Sequence, residues 1–155
     1  MVEIKVIVTG LESSGTKWMT NLLSLHPRVS EAIHTSIPEY LMCHEIKTRW
    51  PKLTGADYVV WMLRYEPFRL RSIKRLEYDL DRDPQFVPPA LYENCARLYR
   101  NSESPVIMVS YEGMVGPCGL TVFQDVLARM KIDISMMPPG FWHPEDANAK
   151  YVSGG

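Results

Sequence analysis

From Gly10 to Lys17 the chain reads Gly10-Leu11-Glu12-Ser13-Ser14-Gly15-Thr16-Lys17, with two glycines, three small hydroxyl residues and a terminal lysine. Small residues let a backbone curl until successive N–H groups face one anion, and a helix starting there adds the positive end of its dipole. Ser13, Ser14 and Thr16 supply hydroxyl donors and Lys17 supplies a full charge, so the segment has the chemistry of a phosphate cradle. A plain strand-to-helix turn capped by Ser14 or Thr16 would need the same residues for a purely local purpose. A second anion-binding set begins at Arg64 and is completed eight positions later by Ser72. A planar guanidinium grips phosphate through two parallel hydrogen bonds, and a serine in the next helix adds a neutral donor. Arg69, Arg71, Lys74 and Arg75 deepen the positive field there, although a basic helix face is also commonly just solvated. For proton transfer near neutrality the natural group is histidine, and His34 is the first candidate with His44 the second.

These residues need elements to position them. Val2, Ile4, Val6 and Val8 alternate, with Ile7 on the opposite side, which predicts a strand buried on both faces and ending at Thr9-Gly10. Trp18, Met19, Leu22, Leu23 and Leu25 then fall at helical spacing until His26-Pro27 stops them. A second strand is expected over Val29 to His34 and a third over Tyr58 to Leu63, with a helix from Pro67 towards Leu80. Asp81 to Pro89 carries three prolines and reads as a surface loop. Leu91, Cys95, Leu98 and Tyr99 predict an amphipathic helix, Val106 to Val109 a further strand, and Leu120, Phe123, Leu127 and Met130 a last helix face.

Strands apolar on both sides and alternating with helices predict an α/β fold: a three-layer α/β/α sandwich on a parallel sheet of about four to five strands. Ligands in such sheets bind beyond the carboxyl ends of the strands, where the residues after Val8, Ile33, Leu63 and Val109 would gather. The 155 residues suit one domain, placed at 1–134, with 135–155 as an irregular C-terminal tail. Lys plus Arg (17) balances Asp plus Glu (18), which argues against wholesale capture of nucleic acid or an anionic membrane. Cys43, Cys95 and Cys118 have neither a zinc spacing nor an even count, as expected of reduced thiols in the cytoplasm. No apolar run approaches the ~20 residues of a membrane span, and the first ten residues make a poor signal peptide.

The first loop almost fits the nucleotide-binding pattern G-x-x-x-x-G-K-S/T, but Thr16-Lys17 reverses its last two positions. The hydroxyl that should hold Mg²⁺ is thus replaced by a lysine that would repel it. Tyr58 to Leu63 also lacks the terminal Asp of a magnesium site, so a metal-dependent kinase or ATPase is the weaker reading and no metal ligands are assigned.

Glu12-Ser13-Ser14-Gly15-Thr16-Lys17-Trp18, followed by Leu25-His26-Pro27, resembles the loop of the sulfotransferase family, in which P-K-S-G-T-T-W or a close variant wraps a 5′-phosphate. Ser14, Gly15, Thr16 and Trp18 match, whereas Ser13 replaces a cation and Lys17 a threonine. Arg64 and Ser72 are similar in spacing to that family's arginine and serine for the 3′-phosphate. Val109-Ser110-Tyr111-Glu112 resembles its S-Y-E-D strand, and His34-Thr35-Ser36-Ile37-Pro38 resembles its K-T-H-L-P segment, although Ser36 falls on the histidine position. The family's R-K-G loop has no counterpart, with Lys150 a poor substitute.

The resemblance implies a P-loop NTPase-like fold and metal-independent sulfuryl transfer. The donor would be 3′-phosphoadenosine 5′-phosphosulfate, the product adenosine 3′,5′-bisphosphate, and the acceptor a hydroxyl or amine of a small molecule or glycan. Ser13 to Trp18, Arg64 and Ser72 would bind the cofactor. Lys17 and the neighbouring amides would stabilise the leaving oxygen, and His34 would be the base. Trp18 would either stack on the adenine or pack into the helix core. Tyr40, Trp50 and Phe86 are candidates for an acceptor pocket. Two alternatives stay open: a P-loop kinase or NTPase, which Mg²⁺-ATP binding would reveal, and a degenerate nucleotide-binding interaction module, which would show neither ligand.

Overall fold

The computed structural model describes residues 2–11, 13–37, 55–75 and 89–152. Strands β1 (Ile4–Leu11), β2 (Val29–Ile37), β3 (Tyr58–Leu63) and β4 (Val106–Ser110) form one sheet in the order β2-β1-β3-β4. Every pairing is parallel, with Val8 level with His34 on one side and Val60 on the other. Helix α1 (Thr16–Ser24) links β1 to β2. Helices α2 (Glu66–Arg75) and α3 (Pro89–Arg100) fall between β3 and β4. Beyond β4 come α4 (Tyr111–Val115), α5 (Gly119–Arg129), a 3₁₀ turn at Ile134–Met136 and a final turn, α6 (Ala149–Val152).

Period-two alternation explains the two cores. Val6, Val8, Val60, Met62, Ile107 and Val109 face Met19 and Leu23 of α1, Met114 of α4, and Phe123 and Leu127 of α5. Ile7, Val59 and Trp61 point the other way, with Cys95 and Leu98 of α3 packed against them. Helices thus cover both faces of the sheet, as strands without a polar face require. Met19, Leu23, Phe123 and Leu127 are fully buried, each contributing roughly 1.5–3 kcal/mol of apolar transfer.

The expected elements all occur where they are described, but several bounds differ and the short α4 is additional: β1 begins at Ile4 and runs on to Leu11, and Pro89 opens α3 instead of closing the loop before it. β2 runs on to Ile37, three residues past His34, because pairing with β1 continues to Leu11. The segment after Ser135 is mostly irregular but packs back on the core: Met137 is buried, and Phe141 and Trp142 are packed around Phe123. Among the described residues, no helix is long and apolar enough to cross a membrane.

Strand order fixes where a ligand site can form. From β1 the chain crosses to β2 on one side of the sheet, whereas β3 leads to β4 on the other. Connections leaving adjacent strands in opposite directions open a crevice at their carboxyl ends. Here that crevice lies between the loop after β1 and the residues after β3, with Ser13 to Gly15 on one side and Arg64 on the other.

Candidate functional site

Two left-handed residues shape the first loop, Ser13 at φ 62° and Gly15 at φ 83°. A Cβ on Gly15 would sit 2.6 Å from Cδ2 of Tyr111, so glycine is required both by conformation and by the ring against it. Ser13 holds its conformation without that freedom, a local strain of the kind concentrated at ligand sites. Gly15 is the N-cap of α1 and has no side chain to satisfy the first turn. The first bond of the helix runs from Met19 N to Gly15 O at 3.0 Å. The amides of Thr16, Lys17 and Trp18 therefore precede the helical ladder at the positive end of the helix dipole. Ser14 and Thr16 are buried while Lys17 is exposed.

Arg64 follows β3 and reaches across the crevice. Its Nη1 donates to the Ser13 carbonyl at 2.9 Å and its Nε to Oδ1 of Asn148 at 2.8 Å. The guanidinium carbon lies 5.0 Å from the centre of the Tyr111 ring, a cation–π contact. Nη2 is buried with no partner. An unmade hydrogen bond on a buried charged donor is costly, on the order of 1–3 kcal/mol or more, and invites an acceptor.

The C-terminal segment closes the cluster. The Tyr111 hydroxyl donates to the Glu145 carbonyl at 3.1 Å and accepts from Ala147 N at 3.0 Å. Burial is the main cause that lifts this phenol above its ordinary pKa, partly offset by the Ala147 N–H and the Arg64 charge. Asn148 Nδ2 donates at 3.0 Å to Oε1 of Glu112, which also accepts from Tyr65 N at 2.7 Å. Sequence reasoning did not single out Asn148 or the placement of Tyr111. No local periodicity links position 148 to position 64, and the only signal was the S-Y-E-like run ending at Glu112.

On the other side of the loop, Thr16 Oγ1 and His34 Nε2 are 2.8 Å apart. His34 is exposed, yet the partial desolvation it undergoes, and then the charge of Lys17, hold its pKa below the ordinary histidine value. At neutral pH the ring is therefore uncharged, the form that accepts a proton. His34, Thr16 and Lys17 thus form one group, and Ser13, Arg64 and Asn148 another, on the two flanks of the same loop.

One sequence expectation is revised by these contacts. Arg69 does not extend the positive field: its side chain is 0% exposed and forks onto Glu66, with Nε–Oε1 at 2.6 Å and Nη2–Oε2 at 2.8 Å. Trp18 packs edge-on to Tyr111 and tilted against Trp142, with centroids 6.1 and 6.3 Å away, which is core packing. Ser72 is half-buried in the second turn of α2, and no hydrogen bond joins it to Arg64 among the described residues. Arg71 is exposed, and Lys150 lies in α6. Glu12, Tyr40, Cys43, His44, Trp50 and Phe86 lie outside the described residues, and of Lys74 and Arg75 only the helical backbone is described.

His26 is buried with Nε2 2.9 Å from the Asp133 carbonyl and Nδ1 accepting from Arg28 N, so it is structural. Among the described residues, no group of three or more His, Cys, Asp or Glu side chains could hold a metal ion. No family model matches the chain, and no curated protein matches it.

Proposed function

We propose that the crevice binds 3′-phosphoadenosine 5′-phosphosulfate and that the protein transfers its sulfuryl group to a hydroxyl or amine of a small molecule or glycan. The observation that carries this reading is Arg64: a half-buried arginine at a topological switch point, touching the first loop and keeping one enclosed nitrogen unpartnered. In this reading Arg64 takes the 3′-phosphate. Ser72 would join it only by a movement of α2 or through water. The loop from Ser13 to Trp18 takes the 5′-phosphate through the uncapped amides of α1. This arrangement corresponds to a P-loop NTPase-like fold with the metal position removed.

The bound donor supplies a sulfuryl group whose departure leaves more negative charge on a phosphate oxygen. Positioned cations and amides are worth most where such charge develops in a site with little water. Lys17 and the amides of Thr16 and Lys17 fill that role. His34, kept neutral by desolvation and by Lys17, takes the proton of the acceptor hydroxyl. Its Nε2 is engaged by Thr16, so Thr16 must turn its hydroxyl towards the phosphate as the acceptor arrives.

Thermal shift with adenosine 3′,5′-bisphosphate tests the reading, because a ligand that prefers the folded state raises the melting temperature. The bisphosphate should stabilise the protein without Mg²⁺, and Arg64→Ala should remove the effect. Stabilisation by Mg²⁺-ATP alone would favour a kinase or NTPase, and no response to either would leave a binding module without nucleotide.

A further inference from the structure

We infer that Asn148 is a positioning residue for Arg64, and that the C-terminal segment bearing it is a working wall of the anion site. The inference rests on the reading of Arg64 as the 3′-phosphate ligand. Asn148 is only 3% exposed, and the polar atoms of a side-chain amide buried so deeply need partners. Its oxygen accepts from Arg64 Nε and its nitrogen donates to Glu112. Glu112 Oε1 in turn holds Tyr65 N, the residue next to Arg64. One amide therefore ties the guanidinium to the backbone that carries it.

The consequence is directional. Arg64 is fixed at Nε by Asn148, at Nη1 by Ser13, and on one face by Tyr111. These restraints leave Nη2 as the unpartnered donor. Rotating the guanidinium to satisfy Nη2 elsewhere would break the bond to Asn148, so the orphan keeps its direction; it is itself enclosed, and an acceptor reaches it once the groups covering it move aside. A long flexible arginine would otherwise lose rotamer freedom on binding, and pre-ordering it removes that cost from the ligand. Tyr111 keeps the wall in register, since its hydroxyl bonds to Glu145 and Ala147 immediately before Asn148.

The test compares adenosine 3′,5′-bisphosphate with adenosine 5′-monophosphate by calorimetric titration of the full chain. Asn148→Ala should weaken the bisphosphate roughly tenfold or more, the loss expected for one hydrogen bond to a charged group, and leave the monophosphate nearly unchanged. The paired exchange Asn148→Asp with Glu112→Gln should restore binding. The new carboxylate accepts from Arg64, and the new amide at 112 turns so that its nitrogen donates to position 148 while its oxygen stays on Tyr65 N, two bonds that in the wild type share Oε1 of Glu112. Unchanged or tighter binding in Asn148→Ala overturns the inference, tighter binding meaning that the segment blocks the site. Equal weakening of both ligands that the exchange does not repair also overturns it.

If the wild-type protein binds neither nucleotide, the reading of the site fails, and the Arg64 Nε–H resonance then decides the positioning claim by itself. That proton should be protected from exchange in the wild type and the paired exchange and lost in Asn148→Ala; its persistence in Asn148→Ala refutes the claim.

Discussion

Replacing Gly15 with alanine tests the shape of the first loop without touching any charge. Two separate costs follow from the structure. Gly15 has φ 83°, and an L-residue held in the left-handed region costs roughly 1–2 kcal/mol. The added methyl would also meet the Tyr111 ring at 2.6 Å. That ring cannot swing away freely, because its hydroxyl is tied to Glu145 and Ala147 and its edge to Trp18. Forcing a carbon into such a packed place costs about 1–3 kcal/mol more. Gly15→Ala should therefore destabilise by about 2–5 kcal/mol in urea unfolding, with a loss of about 2–4 °C in Tm per kcal/mol for a chain of this size. The two parts separate in a double-mutant cycle. In a Tyr111→Ala background the alanine at 15 should cost only the conformational part, giving a coupling of about 1–3 kcal/mol. A Gly15→Ala penalty below about 1 kcal/mol, or one that does not change when Tyr111 is truncated, would refute this geometry.

Three further outcomes are expected. Gly10→Ala should destabilise at least as much, since its Cβ would lie 2.5 Å from the Met62 carbonyl oxygen at φ 144° and a backbone obstacle cannot be removed by truncating a side chain; wild-type unfolding midpoints would contradict this. For His34 the folded pKa is depressed below the ordinary 6.5, so the unfolded chain binds the proton more readily. Its contribution to stability is full above that value and is lost as pH falls through the folded pKa. His34→Gln should flatten this part of the pH–stability curve, and an unchanged slope would count against the Thr16–His34–Lys17 grouping. Treatment with EDTA should leave any stabilisation by adenosine 3′,5′-bisphosphate intact, whereas a shift that needs added Mg²⁺ would point to the kinase reading.

Much of the scaffold was legible because it is written in local patterns. The apolar faces of β1 and β3 alternate with period two, α1 starts at Thr16, and the residues after β1 and β3 had to meet once the strands were parallel. Arg64 beside Ser13 follows from that topology. Other features depend on contacts between distant positions, which periodicity does not encode. Asn148 reaches Arg64 across 84 positions, and Trp142 comes back to Trp18 and Phe123. Arg69 is a different case: its i, i+3 relation to Glu66 was readable, but burial decided that the pair serves packing and not the site. His34 fell beside Thr16 because Val8 and His34 share a register position, and a register is set by pairing across the whole sheet.

The most direct measurement is the affinity ratio of adenosine 3′,5′-bisphosphate to adenosine 5′-monophosphate in the wild type and in Arg64→Ala, by calorimetry without metal. If Arg64 holds the 3′-phosphate, the wild type should prefer the bisphosphate by roughly ten- to a hundredfold, the worth of hydrogen bonds between charged partners, and Arg64→Ala should bind the two alike. Equal affinities in the wild type, or a preference that survives the loss of Arg64, would contradict the assignment of this crevice.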